Sequence, residues 1–187
     1  MSPRAHVALA ALLLLAQDAA QGCSNVTSLS QQLDLLLAEY EREAPPARPA
    51  LVDVMLDLRH AALRDDHTVH MLADLTMSWT DPRIGWNASE WGCSSVLASA
   101  DRLWLPEVSL LNAAGAQTAA APLSARLASD GRVSYLVRYD AAVPLRLDLA
   151  EWPLDVQTAT FKFGSRTLTV DDLDLEMTKF QVRRWSW

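Results

Sequence analysis

The hydrophobic period of the chain changes at Pro49, and that change constrains the fold more than any other feature. Upstream, Leu29, Leu33, Leu36, Leu37 and Tyr40 recur at helical spacing. Ser28 with Gln31 three residues later fits a capping box, which predicts a helix over 28–42. The run Ala44-Pro-Pro-Ala-Arg-Pro49 then stops the helix and forms a stiff linker, since proline neither donates to a helix nor tolerates its interior. Downstream the period drops to two. Val52, Val54, Leu56 and Leu58 alternate with Asp53, Met55, Asp57 and Arg59, the pattern of a half-buried strand.

The same alternation recurs along the rest of the chain. Residues 64–67 form a polar turn, and 69–79 read as the return strand. Asp130-Gly131 is a turn signal ahead of a strand over 132–139, with Val133, Tyr135, Val137 and Tyr139 on one face. Further strands are expected over 156–163, where Phe161 and Phe163 share a face, and over 167–176 and 179–185. The Ala-rich stretch 113–121 reads as a loop. Many short strands joined at Pro, Asp and Gly predict an antiparallel sandwich or barrel.

The first 22 residues carry a basic start, an apolar run over 7–16 and small residues at Ala19, Ala20 and Gly22. That is the organisation of a secretory signal peptide, and the apolar run is shorter than the ~20 residues a spanning helix needs. The expected organisation is therefore a signal peptide over 1–22, a helix and Pro-rich linker over 23–49, and a β-domain over 50–187. In an oxidising compartment Cys23 and Cys93 can pair, with free thiols or an intermolecular bridge as the alternatives. Asn25-Val-Thr27 and Asn87-Ala-Ser89 are glycosylation sequons.

Charge and motif searches exclude several classes. A net charge of −7 with 16 basic residues argues against a nucleic-acid partner. His67 and His70 are three apart on a strand and point to opposite faces, so they do not share a metal. The acidic run 171–176 alternates with Leu173 and Leu175 and reads as a solvated strand face. There is no nucleophile elbow, no phosphate loop and no Cys–His pairing. No enzyme, cofactor or metal is expected.

Three segments carry more specific information. The first, 77–87, holds Trp79, Asp81, Arg83, Trp86 and Asn87. The second, 101–112, holds Trp104-Leu-Pro106 and Asn112. The third, 148–165, holds Asp148, Trp152-Pro153, Asp155, Gln157, Phe161 and Gly164-Ser165. Trp79, Trp86 and Trp104 are large anchors for a core. Asp81 and Arg83 can pair across a turn. Trp152-Pro153 favours a cis peptide in a tight turn.

Together, in this order and spacing, the segments resemble the extracellular ligand-binding domain of the Cys-loop receptors, the pentameric neurotransmitter-gated ion channels. The nicotinic-like branch is the most similar. The resemblance covers nearly the whole chain after the signal peptide. It implies an all-β fold, an antiparallel β-sandwich with an N-terminal α-helix, that is incomplete at its C-terminus. It implies assembly with homologous subunits into a homo- or hetero-pentamer, and a small-molecule ligand bound between subunits. It also implies a membrane region that lies outside this sequence. Trp152-Pro153, with Asp148 and Asp155, would face that region and carry the gating signal, beside the loop at 63–67. Cys23 and Cys93 would both lie at the far end. A soluble secreted ligand-binding protein of the same fold is the alternative.

The departures from the family pattern matter as much. The two cysteines that close the loop around Trp152-Pro153 are replaced by Leu145 and Ala159, so that disulfide cannot form. The amine-binding branch cages a cationic ammonium with aromatic rings. Here the corresponding positions hold Leu111, Arg166 and Asp74, with Tyr135 as a further candidate on the complementary side. Arg166 would repel an ammonium, and Asp74 is the group available to offset it. The resemblance therefore implies a subunit without a standard acetylcholine site.

Overall fold

The computed structural model describes residues 26–64 and 66–182. The N-terminal helix α1 spans Val26–Leu36, and turns carry the chain on to Tyr40. It starts two residues before Ser28, which is therefore inside the helix and not at its cap. It also stops about two turns short of Arg42. Tyr40 lies in the turns past the helix end, where its hydroxyl reaches the core to bond Asp81.

A seven-stranded sheet forms the larger layer. Its strands are β1 (Ala50–Leu63), β2 (Thr68–Thr80), β3 (Ser95–Ser99), β5 (Thr118–Ala120), β6 (Ser124–Ala128), β7 (Arg132–Pro144) and β9 (Leu173–Val182). The order is β3-β6-β7-β2-β1-β9, with β5 also paired to β7. A smaller layer is the two-stranded sheet of β4 (Ser109–Leu110) and β8 (Phe163–Gly164). Period-2 alternation decides which face is buried. Val52, Val54 and Leu56, then Met71, Ala73, Leu75, Met77 and Trp79, then Val133, Tyr135, Val137 and Tyr139 all point into the core between the layers. The layers meet where the Tyr139 ring stands edge-on to Phe163 at 5.4 Å and its hydroxyl donates to the Val108 carbonyl at 2.5 Å.

Four expectations need correction. The stretch 113–121, expected as a loop, holds β5, which pairs with Arg138–Asp140 of β7. The segment 156–163 keeps its alternation, but only Phe163 and Gly164 enter a ladder. Asn112 substitutes for the missing strand partner: its Nδ2 donates to the Thr160 carbonyl at 2.7 Å and its Oδ1 accepts from the Lys162 amide at 2.9 Å. The two strands expected over 167–185 are one, β9, with a bulge at Thr178, whose hydroxyl donates to the Val54 carbonyl at 3.2 Å. That strand runs parallel to β1, so the large sheet is mixed and not purely antiparallel. Residues 183–187, the end of the expected last strand, lie outside the described residues. No helix among the described residues is long and apolar enough to cross a membrane.

Trp79, Asp81 and Arg83 join the helical and β parts. Asp81 is fully buried. Its carboxylate accepts from Arg83 Nε at 2.8 Å and Nη2 at 2.7 Å, and from the Tyr40 hydroxyl at 2.8 Å. The Tyr40 oxygen in turn accepts from the Trp104 amide at 3.1 Å, and Trp104 stands edge-on to Trp79 at 5.7 Å. Arg83 also donates to the carbonyls of Glu41 and Ala44, tying the Pro-rich linker down. Gly131 makes this turn possible: its φ is +84°, and a Cβ there would sit 2.7 Å from the Asp81 carbonyl oxygen. Pro106 is buried beside this junction, at the foot of the loop leading to β4.

At the same end, Trp86 stacks on Trp91 at 4.9 Å and donates from Nε1 to the Cys93 carbonyl at 3.0 Å. Cys93 is buried and disulfide-bonded. Cys23 and Asn25 lie outside the described residues. Asn87 is exposed and caps the short helix α2 (Ala88–Trp91), accepting from the Ser89 amide and donating to Glu90.

Candidate functional site

The four residues expected around a ligand fall into three places. Leu111 and Arg166 come together, because β4 and β8 pair Ser109 with Gly164 and Leu110 with Phe163. Leu111 follows β4 directly, its amide donating to the Lys162 carbonyl at 2.7 Å. Its side chain lies so close to Gly164 that a Cβ there would meet Leu111 Cδ1 at 2.9 Å. Leu111 is 47% exposed. Arg166 is exposed in the turn that follows, where Ser165 Oγ accepts from the amides of Thr167 and Leu168. The Thr167 hydroxyl bonds Glu107. Among the described residues, the Arg166 guanidinium has no hydrogen-bond or ion-pair partner. This edge thus offers an apolar side chain and free cationic groups, Arg166 and Lys162, and no aromatic ring from the expected positions.

Asp74 is elsewhere. It sits on β2, on the face turned away from the core, opposite Asp57 of β1 and Arg138 of β7. Its side chain is only 3% exposed. Oδ1 accepts from Arg138 Nε at 2.7 Å, and Oδ2 accepts from Arg59 Nε at 2.5 Å and Arg138 Nη2 at 3.1 Å. The Arg138 hydrogen bond is the strongest influence on the Asp74 carboxyl. With Arg59 it outweighs burial and holds the pKa below the usual carboxylate value. So Asp74 does not offset Arg166; it is committed to Arg59 and Arg138. Sequence reading missed those two arginines, although the polar alternation that put Asp57 and Asp74 on one face was the available signal.

Tyr135 is in a third place. It pairs with Met77 and faces the core, on the opposite side of the sheet from Asp74. Its hydroxyl donates to the Pro122 carbonyl at 3.3 Å. It borders an open cavity with Leu105, Leu123 and Asp101 and contributes no wall to the Asp74 face.

The loop containing Trp152-Pro153 is solvent-exposed. That peptide bond is cis. Leu149, Trp152, Leu154 and Val156 are all more than half exposed. The chain enters the loop at Leu145, whose amide donates at 2.8 Å to the carbonyl of His67 in the β1–β2 turn. The two loops are therefore neighbours. Ala159, at the other end, packs on the small cluster of Leu110, Ala141 and Val143. Nearby, the close histidine contact is His60 with His70, rings 6.3 Å apart, and His70 Nε2 bonds Asp140 at 2.6 Å. Among the described residues no set of three acidic, His or Cys side chains is arranged to hold a metal.

Residues 29–186 match the family described as the neurotransmitter-gated ion-channel ligand binding domain. Among similar proteins, the human 5-hydroxytryptamine receptor 3E is 30% identical over 123 residues, 64% of this chain and 27% of that protein. The human neuronal acetylcholine receptor subunit alpha-2 is 28% identical over 171 residues, 87% of this chain and 32% of the relative. A Drosophila melanogaster gamma-aminobutyric acid receptor alpha-like protein is 27% identical over 160 residues, 80% and 23% respectively. The chain spans about a third or less of the length of these relatives. With its two-layered β fold, its helix latched through Asp81 and its exposed Trp152-Pro153 loop, the chain belongs to the family of neurotransmitter-gated ion-channel ligand-binding domains.

Proposed function

We propose that the chain is the extracellular ligand-binding domain of a pentameric ligand-gated channel subunit, acting without catalysis. A ligand held between neighbouring subunits shifts a closed–open equilibrium through its differential affinity for the two states. Assembly is with homologous subunits, and the domain is delivered through the secretory pathway to the outer face of the cell membrane. Cys23 is the partner we assign to Cys93, and Asn25 and Asn87 are assigned as glycosylation sites. The match over 29–186 and the exposed loop beside the β1–β2 turn support this reading.

The site is not a standard acetylcholine site. One observation carries that conclusion: Arg166 stands free beside Leu111, and Asp74, the group expected to neutralise it, lies elsewhere and is held by two other arginines. An ammonium ligand would meet a cation where it needs a ring face. Each restored ring is worth about 1–2 kcal/mol toward a desolvated ammonium. Titration of the assembled protein with choline, read by calorimetry, tests this. No binding is expected up to millimolar choline, and the L111Y/R166W variant is expected to gain it. Tight choline binding by the unmodified protein would overturn the reading. A monomeric mass by native mass spectrometry would overturn the pentamer separately.

A further inference from the structure

The Trp152-Pro153 loop has no covalent closure, yet it is closed. Gln157 does this with its side-chain amide. Its Oε1 accepts from the Asp148 amide at 3.1 Å, and its Nε2 donates to the Asp148 carbonyl at 2.7 Å and to Asp155 Oδ2 at 2.5 Å. A primary amide that accepts and donates in this reciprocal way imitates the pairing of one backbone peptide with another across a strand pair. It is done here where the ladder is absent, since 156–162 forms no strand. Inside the closure the loop folds on itself. Asp148 Oδ1 accepts from the Ala150 amide, the Leu149 carbonyl from the Trp152 amide, and the Glu151 carbonyl from the Leu154 amide. Four large apolar side chains are left outside, beside exposed Asp148 and Glu151: Leu149 at 55%, Trp152 at 64%, Leu154 at 84% and Val156 at 88% exposed.

We propose that Gln157 is the positioning residue of this loop: its amide closes 148–157 in place of a covalent link and fixes which apolar side chains the loop presents. Asp155 shares the work by orienting the amide. Its carboxylate can only accept, so it selects the flip that puts Nε2 toward itself and Oε1 toward the Asp148 amide. The inference rests on the ligand-gating reading only in what the loop is held for, and the closure itself is measurable on the chain alone.

Site-resolved amide hydrogen exchange on the full chain tests it. Q157A removes the acceptor of the Asp148 amide. Q157E keeps an acceptor but loses both donors and faces Asp155 with a second carboxylate. Exchange at Asp148 and Ala150 is expected to rise about tenfold in Q157A and further in Q157E, with the β2 amides of residues 71–79 unchanged. The D155N/Q157E swap, in which the amide now at position 155 donates to the carboxylate now at position 157, is expected to recover most of the Q157E loss. Unchanged exchange at Asp148 in Q157A overturns the proposal. So does acceleration spread equally over β2, which would make Gln157 a general stability residue, and so does a swap no better than Q157E. Channel currents are not read in any arm, so a wrong ligand-gating reading leaves these outcomes intact.

Discussion

Asp81 and Asp74 are both buried carboxylates on or just beyond β2, and both bind arginine, yet they serve the molecule differently. Asp81 is enclosed completely. Its arginine is two residues away, its tyrosine arrives from the turns after α1, and Arg83 itself caps the carbonyls of Glu41 and Ala44. Asp74 faces outward, and its arginines come from the strands on either side, with side chains 33% and 49% exposed. The first carboxylate joins parts of the fold; the second sets the charge of a surface. Burial of the acid is the same in the two cases. What differs is the kind of partner: Asp81 has a neutral tyrosine and an arginine, 30% exposed, that is tied to the Glu41 and Ala44 carbonyls, whereas Asp74 has two partly exposed arginines. That difference decides how much each interaction contributes and how far solvent conditions reach it.

The largest effect follows from the enclosed member. In D81N one neutral oxygen faces Arg83, and the bidentate charged pair is gone. Losing one partner of a buried pair costs about 3–5 kcal/mol, and the 30% exposure of the Arg83 side chain places D81N at the lower end. Tyr40 loses its acceptor in the same step. Burial, with the Asp81 bond adding to it, has pushed that hydroxyl up to about 12, so it stays a donor throughout the neutral range. Denaturant melts should show the loss, together with increased exchange in α1. A loss no larger than that of D74N would erase the distinction between the two sites.

Next in size is G131A. The alanine Cβ would press on the Asp81 carbonyl oxygen at 2.7 Å, in a backbone conformation of φ +84°. Strain of this kind costs about 2 kcal/mol when the backbone cannot move, and here the Gly131 carbonyl also accepts the Asp81 amide at 2.8 Å. The variant tests whether the Asp81 turn tolerates displacement. If G131A melts like the parent protein, the junction is softer than its hydrogen bonds suggest.

The same contrast explains what the sequence disclosed. The Asp81–Arg83 pair is local, two residues apart, and was readable as a turn pairing. So were the strands of β1, β2 and β7, because their alternation is long and regular. The members of the Arg59–Asp74–Arg138 cluster are far apart in the chain, and only strand register places them together. The same holds for Leu111 with Arg166, where the motifs pointed to the positions but pairing of β4 with β8 made them neighbours. The missing ladder over 156–162 was illegible for a different reason. Alternation reports which side chains face inward, and Asn112 satisfies the backbone without a strand. Parallel pairing of β9 leaves no local mark either, since a strand of either direction alternates alike.

The smallest effect belongs to Asp74, and it is the one that medium can tune. Its carboxyl titrates below the usual value, chiefly through Arg138. A group depressed in the folded state adds stability above its unfolded pKa, about 4, and loses it as pH falls through the lower folded value. The stability difference between the parent protein and D74N is therefore expected to be present at pH 7 and to vanish in strong acid. It should also shrink with salt, because Arg59 and Arg138 stand partly in water, where salt weakens contact ion pairs. Asp81 is depressed too: burial, the largest influence, pushes it up, but Arg83 and Tyr40 outweigh burial. Its contribution follows the same acid sign, and because its carboxylate is fully enclosed and shares a neutral tyrosine donor, with Arg83 30% exposed, it should respond less to salt than that of Asp74. Melting both variants at low and high ionic strength separates the two behaviours. A D74N difference as salt-resistant as that of D81N would mean that the arginines of the outer face are held as firmly as Arg83. The surface around Asp74 would then be a fixed part of the fold, not an adjustable part of an interface.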